Sequence, residues 1–227
     1  MSTSAMTTAI MDEETCVQLI KPHVQSTDVV VSSIGKLTHF LYTHCARDLN
    51  FYFRHGMGYA SAFALGMAIS QPERRVIALD GDGSALMNSQ SMAAIADVNP
   101  PNLKYVIFNN GCYESTGGQP LPSGGTLDLC KIAEGMGLRN VSQVDTLDEV
   151  DRTLETFFSA PGCALLVLKV QPNLKHFPLV SPPFDANEMK YRFLSAMKDG
   201  GGEGAVVESA AAALPLRSGR KTKGCTR

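Results

Sequence analysis

What this sequence lacks narrows its function early. Its formal net charge is only −2 over 227 residues, so no global field draws it to nucleic acid or to an anionic membrane surface. Six cysteines, Cys16, Cys45, Cys112, Cys130, Cys163 and Cys225, include no Cys-x-x-Cys pair, and Met1 to Ile10 has neither a basic start nor an apolar run to suggest a secretory signal. Reduced thiols in a cytoplasmic protein are the expectation. Long apolar runs are missing too: the uncharged stretch 56–70 is short and rich in Gly, Ala and Ser, as in a buried helix rather than a membrane span. His23, His39, His44 and His176 show no metal-ligand spacing, and no internal repeat is evident.

What is present is a core-forming chain, 44% hydrophobic, long enough for one sizeable domain. Runs rich in β-branched and apolar residues predict strands at 28–32, 51–53, 75–80, 104–109, 140–144 and 163–170. Helical spacing predicts helices over 13–24, 36–45, 58–70, 87–98, 126–136, 147–158 and 185–198, with Pro100 and Pro101 ending the fourth. Strands alternating with helices in this way imply an α/β fold, a doubly wound, mostly parallel sheet with helices on both faces. A flexible start over 1–11, a folded domain over 12–198 and a disordered tail over 199–227 are expected. The basic residues of that tail, Arg217, Arg220, Lys221, Lys223 and Arg227, suit a solvated terminus better than a nucleic-acid site.

In such a sheet, ligands bind beyond the carboxyl ends of the strands. There the sequence delivers Asp80-Gly81-Asp82-Gly83-Ser84 from one strand and Asn109-Asn110 from the next, with 25 residues between Gly83 and Asn109, room for a helix and a return loop. Asp82 and Asn110 offer the hard oxygen ligands that Mg²⁺ or Ca²⁺ accepts. Gly81 and Gly83 allow close backbone approach, and Ser84 stands near a helix start that favours an anion. Together these residues describe a metal–diphosphate site. The Gly-, Ser-, Thr- and Pro-rich segment 111–125 is longer than most connections, as functional loops tend to be.

Gly81-Asp82-Gly83, the 25-residue gap and Asn109-Asn110 together resemble the signature of the enzymes that use thiamine diphosphate. The resemblance implies that Asp82, Asn110 and the main-chain carbonyl of Cys112 hold Mg²⁺ against the diphosphate, with the Cys112 thiol incidental. It further implies that Met57, flanked by Gly56 and Gly58, props the cofactor into its bent shape, that the His55 carbonyl accepts a hydrogen bond from the amino-pyrimidine, and that Tyr113 faces the cofactor. The run from Asn109 to Gln119 is most similar to sulfopyruvate decarboxylase β subunits and phosphonopyruvate decarboxylases. Decarboxylation of a small 2-oxo acid is therefore implied, with the cofactor accepting the electrons left by carbon dioxide. Ser115, Thr116 and Gln119 are candidate contacts to the substrate's terminal anion. Glu114 and Tyr59 depart from the residues common at their positions. Enzymes of this kind activate the cofactor with a glutamate on a separate pyrimidine-binding domain, for which the chain has no second sheet. An α-type partner subunit carrying that glutamate, in a hetero-oligomer containing a β–β dimer, is thus expected. An acetolactate synthase-like carboligase component and a non-catalytic cofactor-binding subunit are the alternatives.

Other families fit less of the sequence. A haloacid-dehalogenase-type phosphatase would use Asp80 as nucleophile and Asp82 as acid, but needs an acidic pair where strand 163–170 ends in Lys169-Val170. A nicotinamide-dinucleotide fingerprint at Gly56-x-Gly58 meets Ser61 in place of its third glycine, and an EF-hand from Asp80 meets Ala85 at its turn glycine and Ser91 at its bidentate glutamate.

Overall fold

The computed structural model describes residues 11–122, 126–174 and 179–198. The expected mobile start and disordered tail lie outside these residues except for Met11. Met11 is instead buried, and its carbonyl accepts the Gln171 N–H at 2.8 Å, so packing begins at the first described residue.

The chain opens with α1 (Glu13–Ile20), then β1 (Val29–Ser32), α2 (Lys36–Cys45) and β2 (Asn50–Tyr52). It continues through α3 (Ala60–Ser70), β3 (Val76–Gly81), α4 (Asp82–Met87), α5 (Gln90–Val98) and β4 (Leu103–Asn109). A small hairpin of β5 (Cys112–Tyr113) and β6 (Gln119–Pro120) precedes α6 (Leu129–Gly135), β7 (Val141–Val144), α7 (Leu147–Ser159), β8 (Ala164–Lys169) and α8 (Ala186–Lys198). Six strands form one sheet in the order β2-β1-β3-β4-β8-β7, every neighbouring pair parallel. The expected doubly wound architecture is what is seen.

Strand period two sends alternate residues to opposite faces. Val30, Ile77, Leu79, Val106, Phe108, Leu166 and Leu168 pack against α1, α2 and α7. Val29, Val31, Val76, Ala78, Tyr105, Ile107, Leu165 and Val167 pack against α3, α5 and α6. Both sets are almost fully buried, which explains why the strands read as unbroken apolar runs. At the opposite end from the site, Arg75 pairs with Asp28 and donates to the carbonyls of His23 and Phe158, tying β1, β3 and α7 together. Among the described residues no helix is long and apolar enough to cross a membrane.

Two local departures matter for the site. The helix expected over 87–98 starts only at Gln90, as α5, and a separate helix, α4, precedes it, because Asn88 leaves helical geometry at φ −131°, ψ 48° and gives its side-chain amide to the Gly58 carbonyl at 2.9 Å. The segment expected as a plain loop after Gly111 is partly ordered by the β5–β6 pair. Gly117 and Gly118 turn it at φ 121° and 78°, angles that favour glycine.

From the sheet order, β1 connects outward to β2 whereas its neighbour β3 connects the other way, to β4. The crevice past the ends of β1 and β3 is therefore the topological switch point. Leu166, buried at the middle of β8 and distant from that crevice, tests the packing. Leu166→Ala is expected to lower unfolding free energy by about 2–5 kcal/mol in urea denaturation with an unchanged slope; a loss below about 1 kcal/mol would contradict the described core.

Candidate functional site

An open cavity of about 120 Å³ sits at this switch point, lined by residues from the ends of β1, β3 and β4 and from the hairpin. Its shape starts with Asp82. Strand β3 passes into α4 without a loop, so Asp82 is at once the residue after the strand and the first of the helix. The side chain is buried. Its Oδ1 accepts the Gly83 N–H at 2.6 Å and its Oδ2 the Gly111 N–H at 2.7 Å. Burial raises its pKa to about 6, partly opposed by the N–H donors of Gly111, Gly83 and Asn110, with Glu114 adding a further rise.

Asn110 stands opposite, where β4 has ended. Its Oδ1 accepts the Cys112 N–H at 3.0 Å, while its Nδ2 donates to Glu114 Oε2 at 2.8 Å and Glu13 Oε1 at 3.2 Å. In the hairpin Cys112 faces Pro120, which has no N–H, so the pairing gives the Cys112 carbonyl no donor from the residue across from it. The Cys112 thiol is pushed up by burial and by Glu114, Asp82 and Glu13, which keeps it protonated at neutral pH and a poor metal ligand. Carboxylate, amide oxygen and carbonyl are thus the donors gathered here. Among the described residues no group of three or more His, Cys, Asp or Glu side chains is placed to hold a metal.

The floor is glycine-lined for a visible reason. A Cβ on Gly83 would lie 2.6 Å from the Tyr113 ring, so the ring rests directly on the first turn of α4. Met57 enters from the other side, on a turn held by two bonds: Gly58 N–H to Ser84 Oγ at 2.9 Å, and Asn88 Nδ2 to the Gly58 carbonyl. Gly58 has φ +87°, a conformation other residues rarely adopt. Asp80 lies beneath the cavity, fully buried, with the Tyr105 hydroxyl donating to its Oδ2 at 3.1 Å. Its pKa rises to about 6 by burial, opposed by the neighbouring Ser84, Ser33 and Tyr105 hydroxyls and the Gly81 backbone. It supports the turn rather than lining the site.

Of the residues singled out from the sequence, Met57, Gly81, Asp82, Gly83, Ser84, Asn110, Cys112, Tyr113, Ser115 and Thr116 line this one cavity. Three do not. Gly56 is exposed. His55 is exposed too and borders a neighbouring recess with His39, Arg54 and Ser181. Gln119 points outward and exchanges hydrogen bonds with Thr116. Sequence reasoning missed Glu13, Ser33, Ile34, Lys36 and Leu37, all of which line the cavity. Ser33 and Ile34 follow a strand end at the switch point, a signal that was available. Glu13, at the start of α1, carried none.

Residues 33–168 match the family described as thiamine pyrophosphate enzyme, C-terminal TPP binding domain. The chain is 36% identical over 183 residues to the sulfopyruvate decarboxylase subunit beta of Methanocaldococcus jannaschii, covering 80% of this chain and 95% of that one. It is 38% identical over 164 residues to the phosphonopyruvate decarboxylase of Streptomyces hygroscopicus, covering 72% of this chain but 40% of that one. A crystal structure from Mycobacterium smegmatis, described as a candidate thiamin diphosphate-dependent enzyme, superposes with a TM-score of 0.63 at 25% identity over 73% of this chain and 33% of that one.

Glu13 shows the electrostatic character of the cavity most strongly. Its pKa rises to about 8, first through burial and then through Glu114 and Asp82, with Lys36 opposing. Glu13, Asp80 and Asp82 all hold protons more tightly folded than unfolded, so between the ordinary carboxylate range and about pH 8 the folded chain binds more protons. The contribution of these three groups to stability falls as pH rises through that window and levels off above it. Glu13→Gln is expected to be more stable than wild type in ligand-free thermal melts. The gap should widen from about pH 5 to pH 8 and reach at least about 1 kcal/mol, roughly 2–4 °C for a domain of this size. A gap independent of pH would contradict the burial of this carboxyl.

Proposed function

We propose that this chain, which belongs to the thiamine pyrophosphate enzymes and carries their C-terminal binding domain, is the diphosphate-binding subunit of a decarboxylase acting on sulfopyruvate or phosphonopyruvate, giving the aldehyde and carbon dioxide. The observation that carries this proposal is the convergence of Asp82, Asn110, the Cys112 corner and Met57 on one cavity at the switch point. The residues fit a magnesium diphosphate. Oxygen donors of this hardness suit Mg²⁺, and beside them Gly81 faces open space, with nothing within 4 Å of where a Cβ would stand.

Asp82, Asn110 and the Cys112 carbonyl would hold the metal, and the Gly81–Ser84 backbone would meet the diphosphate. Met57 would support the cofactor from the far wall. When bound, thiamine diphosphate supplies the electron sink for loss of carbon dioxide. The chain's own part is to orient and to exclude water: Ile34, Leu37, Met57 and Tyr113 give the cavity an apolar side. Ser115 and Thr116 are the hairpin residues available to the substrate's terminal anion. Five described cysteines are free thiols, which supports a reducing, cytoplasmic setting.

A partner completes the site. The beta-subunit relative is matched over nearly its whole length, whereas the phosphonopyruvate decarboxylase relative is more than twice as long as the matched region. A cavity of about 120 Å³ is also below the roughly 300–1,000 Å³ of sites that enclose a drug-sized ligand. We assign the missing walls and the activating glutamate to a pyrimidine-binding, α-type subunit, in a hetero-oligomer containing a β–β dimer.

Co-expression with that subunit and assay on sulfopyruvate, phosphonopyruvate and pyruvate should show carbon dioxide release from one of the two anionic acids in preference to pyruvate, and none from the chain alone. Full activity without the partner would overturn the split site. A carboligation product would move the chain to the acetolactate synthase-like alternative, and binding without turnover to the non-catalytic one. Separately, thiamine diphosphate with Mg²⁺ at about 100 times its dissociation constant should stabilise wild type by about 2.7 kcal/mol. Asp82→Ala should lose that Mg²⁺-dependent shift, and its retention would show the metal assignment to be wrong.

A further inference from the structure

Among the described residues lining the cavity there is one basic side chain, Lys36, against three acidic ones, Glu13, Asp82 and Glu114. Lys36 Nζ donates to Glu114 Oε1 and to the Asn173 carbonyl. The other oxygen of that carboxylate, Oε2, accepts from Asn110 Nδ2, the group that Glu13 Oε1 also takes. An amide NH₂ has two hydrogens, and here each faces a glutamate. On the opposite side, Asn110 Oδ1 accepts the Cys112 N–H. Turning the amide over would set its oxygen against the Glu114 carboxylate and its NH₂ against the Cys112 N–H, losing both of those hydrogen bonds at once. One orientation is therefore imposed on Asn110 by its surroundings.

We infer that Glu114, itself held by Lys36, is a positioning residue that aims the Asn110 side-chain oxygen at the divalent cation. The inference rests on the assignment of Asn110 as a metal ligand above. The ion pair is largely shielded, with side chains 12% and 6% exposed, so each partner keeps the other from being an uncompensated buried charge. Lys36 comes from the first turn of α2, Glu114 from the turn after β5, and the Asn173 carbonyl from beyond β8. Three remote segments are thus brought to bear on one amide. Lys36 and Glu114 act through Asn110 and are not assigned contact with the metal.

The test is a double-mutant cycle on the full chain in complex with the α-type partner assigned above. In calorimetric Mg²⁺ titrations at saturating thiamine diphosphate, Glu114→Ala should raise the half-saturating Mg²⁺ concentration by about 10- to 100-fold, the scale found when the hydrogen-bond partner of a metal ligand is removed. Glu114→Gln, which keeps an oxygen for Asn110 but no charge for Lys36, should fall between. Adding Glu114→Ala to Asn110→Ala should produce no further rise, because the effect runs through the amide. Additive effects in the cycle, or an unchanged Mg²⁺ requirement in Glu114→Ala, would overturn the inference.

A ligand-free readout separates this failure from that of the cofactor assignment. The side-chain NH₂ resonances of Asn110, identified by their loss in Asn110→Ala, should shift in both Glu114→Ala and Lys36→Met chains. If wild type binds no thiamine diphosphate with Mg²⁺, the cofactor assignment falls, and the positioning role falls with it even where the resonances move. If wild type binds and the resonances stay in place, the positioning role alone is wrong.

Discussion

The cavity depends on one carboxylate with two backbone obligations. Asp82 follows β3 without a connecting residue, so the middle of the sheet sets its place. One oxygen closes on Gly83 and the other crosses to Gly111, just past the end of β4. Two strand exits are thereby held together through charge-assisted hydrogen bonds, which are stronger than neutral ones. Burial opposes this arrangement by disfavouring the charge, and a nearby cation would relieve the opposition. The site is built around a charge that the ligand-free chain accommodates imperfectly.

The sheet was readable because its strands are covered on both faces. That condition forces unbroken apolar runs such as Val76-Ile77-Ala78-Leu79 and Leu165-Leu166-Val167-Leu168, and all six appear within one or two residues of where the sequence places them. The division of α4 from α5 was not readable. It turns on a hydrogen bond between Asn88 and Gly58, which stand 30 residues apart. The β5–β6 pair was equally hidden, since strands of two residues have no periodicity to detect.

The same contrast runs through the cavity. Gly81, Asp82, Gly83 and Asn110 were found because their spacing follows from consecutive strand exits in a parallel sheet. Glu13 and Lys36 were not, since a charged residue in the first turn of a helix reads as solvent-facing until distant segments close over it. Gln119 shows the reverse error: a polar loop residue that looked available is paired with Thr116 at the surface.

Gly35 carries a consequence for how the pocket can change. It sits at φ +94° where β1 gives way to α2, and a Cβ there would lie 2.6 Å from Ser115 Oγ. The turn before Lys36 and the loop bearing Ser115 therefore touch with no slack between them. A side chain at 35 would have to displace the Ser115 hydroxyl as well as adopt a left-handed backbone, so sequence variation at 35–36 and at 114–116 is expected to travel together.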